Sequence, residues 1–187
     1  MYKFKCICLV FWIAVVATNL CAQDITSQGA GSLKLGMSAQ QFKSAFPGAQ
    51  TKKEIQEGDE ALVGIIARAE GGGPGLPAAK ATFYQSKIVQ ISLFDARYKL
   101  NGVPVGSTFK DLKDKIKIRS IYYAPDGEEA GITIRLSDLT NVNINMELMG
   151  ALKSMLSKYA YNEVPVNKLP SWSKVSSISI TQSMISK

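Results

Sequence analysis

The chain contains LKLGMSAQQFK at residues 33–43 and, 70 residues later, VPVGSTFKDLK at residues 103–113. Each stretch has two apolar residues around a third residue, then a glycine, then hydroxyl residues ahead of a helical period. A hydroxyl residue at the start of a helix caps the free backbone N–H groups of the first turn, and glycine permits a sharp turn into the helix. The repeated pattern therefore predicts two equivalent helices.

Both predicted helices have one apolar face and a capped start. Ser38 and Gln41 have the spacing of a capping box, whereas Thr108 is followed by Asp111, a negative charge suited to the first turn of a helix. The apolar positions recur at i, i+3 and i+7, a spacing that places them on one helix face. They are Ala39, Phe42 and Phe46 in the first stretch and Phe109, Leu112 and Ile116 in the second.

Segments with strand character follow each helix. Short links at residues 85–87 and 125–127 predict hairpins, and therefore antiparallel pairing. The predicted strands are residues 62–69, 79–84, 88–94, 118–123, 132–136, 142–148 and 175–181, with a third helix at about 149–158. We expect one α+β domain of two related helix-plus-antiparallel-strand units, at about 31–98 and 101–148, followed by a C-terminal helix and closing strand within 149–187.

This layout resembles the tandem modules of the beta-lactamase-inhibitor-protein-like superfamily, which includes small lipoproteins of the outer-membrane assembly machine. It also resembles uncharacterised exported bacterial proteins of the same layout. The resemblance covers about residues 31–148 and is specific at residues 35–42 and 105–112. It implies a binding or scaffold module. Many members carry a disulfide or an acylated cysteine, whereas the three cysteines of this chain all precede residue 22.

Residues 1–22 have the three parts of a secretory signal peptide. Lys3 and Lys5 form a basic start, and an apolar run follows at residues 6–17. The third part is a short polar end at residues 18–22, which begins with Thr18 and Asn19. The apolar run is shorter than the roughly 20 residues that a membrane-spanning helix needs. We expect cleavage before Gln23, with cleavage after residue 17 as the second choice, and a periplasmic or secreted domain at residues 23–187 without a transmembrane segment.

Cys21 leaves a second interpretation open, in which the protein is an outer-membrane lipoprotein. The residue before an acylated cysteine should be small, and here it is Leu20. We therefore favour the unacylated form. In that form every cysteine is removed, so the domain has no disulfide and its stability depends on its core.

The composition excludes much of ordinary enzyme chemistry. The chain has no histidine, which excludes Ser-His-Asp catalysis and His-based zinc sites. The domain that remains after cleavage before Gln23 has no cysteine either, which excludes thiolate chemistry. We expect no cofactor and no catalysis. The open alternative is a small hydrolase that uses Ser107 with Lys110, an S-x-x-K spacing, or the paired carboxylates at 59–60 and 128–129. Enzymes with this S-x-x-K motif also need a Ser-Asp-Asn and a Lys-Thr-Gly element. This chain has no Lys-Thr-Gly, and its Ser137-Asp138 is followed by Leu139 instead of asparagine. Capping of the second helix is therefore the simpler explanation of residues 107–110.

Two segments are candidate binding elements. One is a glycine-rich loop, Gly71, Gly72, Gly73, Pro74 and Gly75, and the other is a basic patch, Lys110, Lys113, Lys117 and Arg119. Loops carried on a rigid sheet often contact partners. The patch lacks well-placed aromatic residues for base stacking, so we do not expect nucleic-acid binding.

The function expected from the sequence is noncatalytic. The net charge of +7 falls to +5 when Lys3 and Lys5 are removed, a modest basic excess. The expected partner is another envelope protein or an anionic envelope polymer, bound through an exposed sheet face and the glycine-rich loop. A carrier of lipid or another hydrophobic ligand is a further alternative, and it would need an apolar cavity between helices and sheet.

Overall fold

The computed structural model describes residues 22–56, 59–68, 77–126 and 130–182. This part of the chain is mostly β-sheet with three short α-helices, in agreement with the coarse α+β expectation. The first strands are β1 (Gln23–Thr26), β2 (Gly29–Ala30), β3 (Leu33–Lys34), β4 (Gln50–Gln56), β5 (Asp59–Ile66), β6 (Ala79–Tyr84) and β7 (Lys87–Leu93). The later strands are β8 (Tyr98–Leu100), β9 (Val103–Pro104), β10 (Ile118–Ala124), β11 (Gly131–Leu136), β12 (Val142–Met146), β13 (Asn162–Glu163) and β14 (Val175–Thr181). The helices are α1 (Ala39–Ala45), α2 (Phe109–Lys113) and α3 (Gly150–Leu156), with single 3₁₀ turns at Ser157–Tyr159 and Val166–Lys168.

The strands form two sheets. A small sheet has the order β3-β2-β1-β8-β9, in which β1 and β8 are parallel. A larger sheet has the order β13-β10-β11-β12-β14-β7-β6-β5-β4, and its strands pair antiparallel throughout. Its centre is the pair β7–β14, with β4-β5-β6 on one side and β10-β11-β12 on the other. The closing strand β14 therefore joins the two halves of the sheet.

One hydrophobic core connects the larger sheet, the helices and the small sheet. Phe42 of α1, Leu112 of α2 and Leu152 of α3 are fully buried in it. Strand β12 contributes Val142, Ile144 and Met146, whose side chains alternate with half-buried asparagines. This alternation gives the larger sheet an inner apolar face and an outer polar face.

Both predicted helix starts are capped. The Ser38 side chain accepts a hydrogen bond from the Gln41 amide, and the Gln41 side chain accepts one from the Ser38 amide at 2.8 Å, which confirms the predicted capping box. At α2, Thr108 and Asp111 form a second capping box. Asp111 therefore does more than supply the expected charge, since it accepts hydrogen bonds from the helix start.

The strand predictions are confirmed where a strand has a clear apolar pattern. The predicted ranges 79–84 and 175–181 coincide with β6 and β14. The 62–69 prediction is shifted, because β5 starts at Asp59 and ends at Ile66. The five short strands of the small sheet, the two-residue β13 and the longer β4 were not predicted from the sequence. Strand β4 shows why. It is an edge strand of mixed lysine, glutamine and glutamate, so it has no buried face that would create a period.

Candidate binding face

The outer side of the larger sheet carries two rows of polar side chains that run across its strands. Residues that are directly paired in a sheet lie on the same face. In the first row Ser92 pairs with Ser179, Ser179 with Asn143, and Asn143 with Arg135. The second row consists of Ser177, Asn145, Thr133 and Tyr122, also paired in sequence across the sheet. We call these eight residues the polar face.

All residues of the polar face except Ser177 line a hollow of about 740 Å³, whose other lining residues include Gln90 of β7. Ser179 lies at its floor with 9% of its surface exposed, whereas Arg135 is exposed. A volume of this size lies within the range of known ligand sites. The hollow extends over β7, β14, β12, β11 and β10, and so includes strands from both halves of the sheet.

Asn145 is held in place at the centre of the second row. Its Nδ2 donates to Ser177 Oγ at 3.0 Å, and its Oδ1 accepts from Thr133 Oγ1 at 3.4 Å. The neighbouring Ser176 hydroxyl donates to the backbone oxygen of Asn145 at 3.0 Å. These bonds orient the amide before any ligand binds, and an oriented group costs less entropy when it engages one.

The first row has unused hydrogen-bonding capacity. Within the described ranges, the side chains of Ser92, Asn143 and Ser179 make no hydrogen bond to protein, and no carboxylate lies within 4.0 Å of the Arg135 guanidinium. An asparagine amide offers two donors and an acceptor, and a serine hydroxyl offers one donor and accepts as well. The row is therefore able to bond a ligand that carries hydroxyls and one anionic group.

The outer side carries charges of both signs around the polar face, since Glu163 of β13 pairs in register with Tyr122 at one end of the second row. Lys80 pairs in register with Ser92, and its Nζ lies 2.5 Å from Glu54, which also binds Lys52 at 2.7 Å. Hydrogen bonds from Lys52 and Lys80 hold the pKa of Glu54 below its ordinary value. Glu54 is consequently neutralised by two cations, whereas Arg135 at the other end of the first row has no ion-pair partner among the described residues.

The residues of the predicted basic patch are all exposed, and they lie on more than one element. Lys110 and Lys113 lie on α2, Lys117 forms an ion pair with Asp138 at 3.3 Å, and Arg119 lies at a bulge of β10. The other predicted element, the loop Gly71 to Gly75, lies outside the described residues, as do residues 1–21 and the pair Glu128 and Glu129.

Among the residues of the hydrolase alternative that the structure describes, no catalytic arrangement is present. Ser107 precedes the cap residue Thr108, so it is outside the five-residue helix that carries the exposed Lys110. Of the carboxylates, Glu60 binds Lys53 at 2.7 Å, and this hydrogen bond lowers the pKa of Glu60. A general acid would need a raised pKa. In the part of the chain that the structure describes, no three metal-ligating side chains come together.

The sequence predicted the five strands that carry the polar face, but it indicated a polar outer side for only one of them. The asparagines of β12 were recognisable as a polar outer face because they alternate with apolar residues. Ser92, Arg135 and Ser179 were not, because their common location depends on the pairing of β7, β14, β12 and β11. No helix among residues 22–56, 59–68, 77–126 and 130–182 combines the length and the hydropathy needed to cross a membrane.

Comparisons with known proteins identify a fold but no family. No family model matches the chain, and no curated protein matches it. Among solved structures it is similar to the uncharacterized protein yfeY from Escherichia coli, with a TM-score of 0.57 and 16% sequence identity over 85% of this chain and 99% of that chain. Neither that neighbour nor the described residues indicate catalysis. What the comparison shows is a fold similar to that of yfeY over most of the chain.

Proposed function

We propose that this protein is a noncatalytic exported protein of the bacterial envelope, a binding or scaffold module whose binding surface is the polar face. The observation that carries the proposal is the row Ser92, Ser179, Asn143 and Arg135, which lines a hollow of about 740 Å³ with unused hydrogen-bonding groups. A sheet face without a partner is ordinarily covered by water and scattered charges. Here the four strands place three neutral polar side chains and one arginine around a depression, and convergent polar groups of this kind can orient a ligand.

The proposal includes the division into two related units. Gly36 N donates to Ile88 O at 2.8 Å just before α1, and Gly106 N donates to Val175 O at 3.0 Å just before α2. The cap residues show the same correspondence: Ser38 forms an isolated antiparallel bridge with Lys87, and Thr108 forms one with Lys174. Each half of the larger sheet then has four strands in the same order. From the central pair outward they are β7, β6, β5 and β4 in one half, and β14, β12, β11 and β10 in the other. These parallels support a tandem arrangement of the kind suggested by the resemblance to the beta-lactamase-inhibitor-protein-like superfamily.

A hydrophobic-ligand carrier is less well supported. Such a protein needs an apolar cavity between helices and sheet. In this chain the residues at that position are close-packed and almost without exposed surface: Phe42, Phe83, Phe109, Leu112 and Leu152. The hollow lies instead on the opposite, polar side of the sheet.

The binding test compares the protein with a variant of its polar face. Asn143→Ala combined with Ser92→Ala removes two unused side-chain groups without breaking a hydrogen bond within the described residues. Gln40→Ala combined with Ser44→Ala on the exposed side of α1 is the matched control. We expect the first variant to lose about tenfold in binding to fractionated envelope polymers and proteins, and the control to bind normally. Equal binding by both variants would contradict the proposal.

The location is tested separately. The full chain, expressed in a Gram-negative host, is followed by cell fractionation and mass spectrometry of its N-terminus. We expect a periplasmic or secreted protein that begins at Gln23. A protein that begins at a diacylated Cys21 would instead assign it to the lipoproteins, and an unprocessed cytoplasmic chain would contradict export.

A further inference from the structure

We infer that the partner of the polar face is an acidic polysaccharide whose chain lies across the strands, with an anionic group at Arg135 and hydroxyls at Asn143, Ser179 and Ser92. This inference rests on the proposed function and specifies the partner. It joins three features of the face: the spacing of its groups, their hydrogen-bonding chemistry, and the distribution of charge.

The spacing favours an extended polymer. The first row occupies β11, β12, β14 and β7, which are consecutive strands of the sheet. Neighbouring strands lie about 4.8 Å apart, so the row extends over about 14 Å. A ligand that presents polar groups at short, regular intervals can bond to successive strands. A small compact ligand would reach only part of the row.

The chemistry of the row suits hydroxyl groups. Hydroxyls both donate and accept, as do the serine hydroxyls of the row and the amide of Asn143. In the adjacent row the Asn145 amide is already bonded to Thr133 and Ser177, and this fixes the floor on which the ligand would lie. The half-buried Tyr122 ends that row and adds an aromatic ring to the border of the hollow.

The charges favour an acidic ligand. None of the residues that line the hollow is aspartate or glutamate, and Arg135 is the cation among them. A guanidinium binds a carboxylate or phosphate with two parallel hydrogen bonds. Because no carboxylate of the described residues occupies Arg135, an anionic group of the ligand can take that place.

A protein partner fits the face less well. The centres of protein interfaces are enriched in large apolar and aromatic residues. The exposed large hydrophobic residues of the described chain, Ile55, Tyr84, Met149, Met155, Tyr161, Val166 and Trp172, all lie outside the hollow. The strands beneath the hollow are also paired on both sides, so a peptide cannot be added there as a further strand.

The test uses two polymers with the same backbone. Purified protein is titrated with polygalacturonate, a linear uronic-acid polymer, and with its fully methyl-esterified form, which keeps the hydroxyls and lacks the charge. Inorganic polyphosphate serves as an anion without sugar hydroxyls. We expect polygalacturonate to bind at least about tenfold more tightly than both of the other polymers.

Variants assign the two kinds of contact. Arg135→Gln should lower the affinity for polygalacturonate about tenfold and should leave the weak binding of the methyl ester unchanged, with Arg135→Lys in between. Lys43→Gln removes a positive charge from an exposed site on α1 outside the hollow and should have less than about a twofold effect. Asn143→Ala should weaken binding of both sugar polymers.

Three results would overturn the inference. They are equal affinity for polygalacturonate and its methyl ester, equal effects of Arg135→Gln and Lys43→Gln, and binding of polyphosphate as tight as that of polygalacturonate. If the sugar polymers fail to bind but capture of an envelope protein still depends on Asn143 and Ser92, this inference fails and the proposed function stands. If the Asn143 and Ser92 variant changes no binding to any envelope fraction, the proposed function fails as well.

Discussion

The ring of Phe42 lies directly against the backbone of Gly64. A Cβ atom added to Gly64 would be 2.6 Å from Cε1 and 2.7 Å from Cζ of that ring. Phe42 is fully buried and also meets Phe83 edge-on, with ring centroids 5.7 Å apart. The helix α1 is thus fixed on the sheet by an aromatic side chain that needs a glycine beneath it.

Gly64→Ala should destabilise the protein by about 1–3 kcal/mol, because the extra methyl group displaces a close-packed ring. Urea unfolding measures this change. Gly150→Ala is the control, since nothing lies within 4 Å of a Cβ at that position and alanine favours a helix. Gly64→Ala should lower the free energy of unfolding, and Gly150→Ala should raise it or change it much less. Equal stability of Gly64→Ala and the unchanged protein would contradict the packing described.

Asn141 connects the small sheet to the larger one. Its Nδ2 donates to the backbone oxygens of Ser27 at 2.8 Å and Thr181 at 3.1 Å. Asn141→Ala should lower the free energy of unfolding by about 1–3 kcal/mol. Asn141→Asp should lower it further at neutral pH, because a carboxylate would face two carbonyl oxygens. Thermal unfolding checks both, and Asn143→Ala, which loses no such bond in the described structure, should change stability by less than about 0.5 kcal/mol. Similar losses for Asn141→Ala and Asn143→Ala would disprove the connection.

Tyr123 is a buried tyrosine whose hydroxyl has no hydrogen-bond partner in the part of the chain that the structure describes. An unpaired buried hydroxyl costs free energy that a phenylalanine would not. Tyr123→Phe should therefore leave stability unchanged or raise it by about 1 kcal/mol, as measured by urea unfolding. Tyr122→Phe on the polar face is the neighbouring control. A large loss of stability in Tyr123→Phe would mean that the hydroxyl has a partner.

The two helix caps should differ in their response to acid. Hydrogen bonds from the Thr108 side chain and backbone hold the pKa of Asp111 below its ordinary value of 3.8. Because the pKa is lower in the folded state, the ionised cap stabilises the protein fully above the ordinary pKa. This contribution is lost as the pH falls below the ordinary pKa and through the lowered pKa of the folded state. The corresponding residue of α1, Gln41, does not titrate.

Urea unfolding at a series of pH values tests this difference. The stability gap between the protein and its Asp111→Asn variant should be constant near neutral pH and should shrink as the pH falls toward and below 3.8. The effect of Gln41→Ala should stay the same over that range. A gap for Asp111→Asn that is independent of pH would show that the carboxylate makes no capping bond.

The predictions from sequence succeeded where a structure depends on near neighbours. The box of Ser38 and Gln41 involves residues three apart, and the strands 79–84 and 175–181 have their own apolar patterns. Strand β4 was missed because an exposed edge strand needs no apolar side chains. For the candidate site, asparagines that alternate with apolar residues mark the polar side of β12 in the sequence, whereas the rest of the polar face has no such local signal.

The sequence by itself determined several local features: two capped helices at the repeated stretches, the hairpin across residues 85–86, and a domain without histidine chemistry. Those features arise from hydrogen bonds and side-chain periods within a few residues. Only the tertiary structure decided that β14 pairs with both β7 and β12. That pairing joins strands distant in the chain, and its register brings Ser92, Ser179, Asn143 and Arg135 into one row because paired residues share a face.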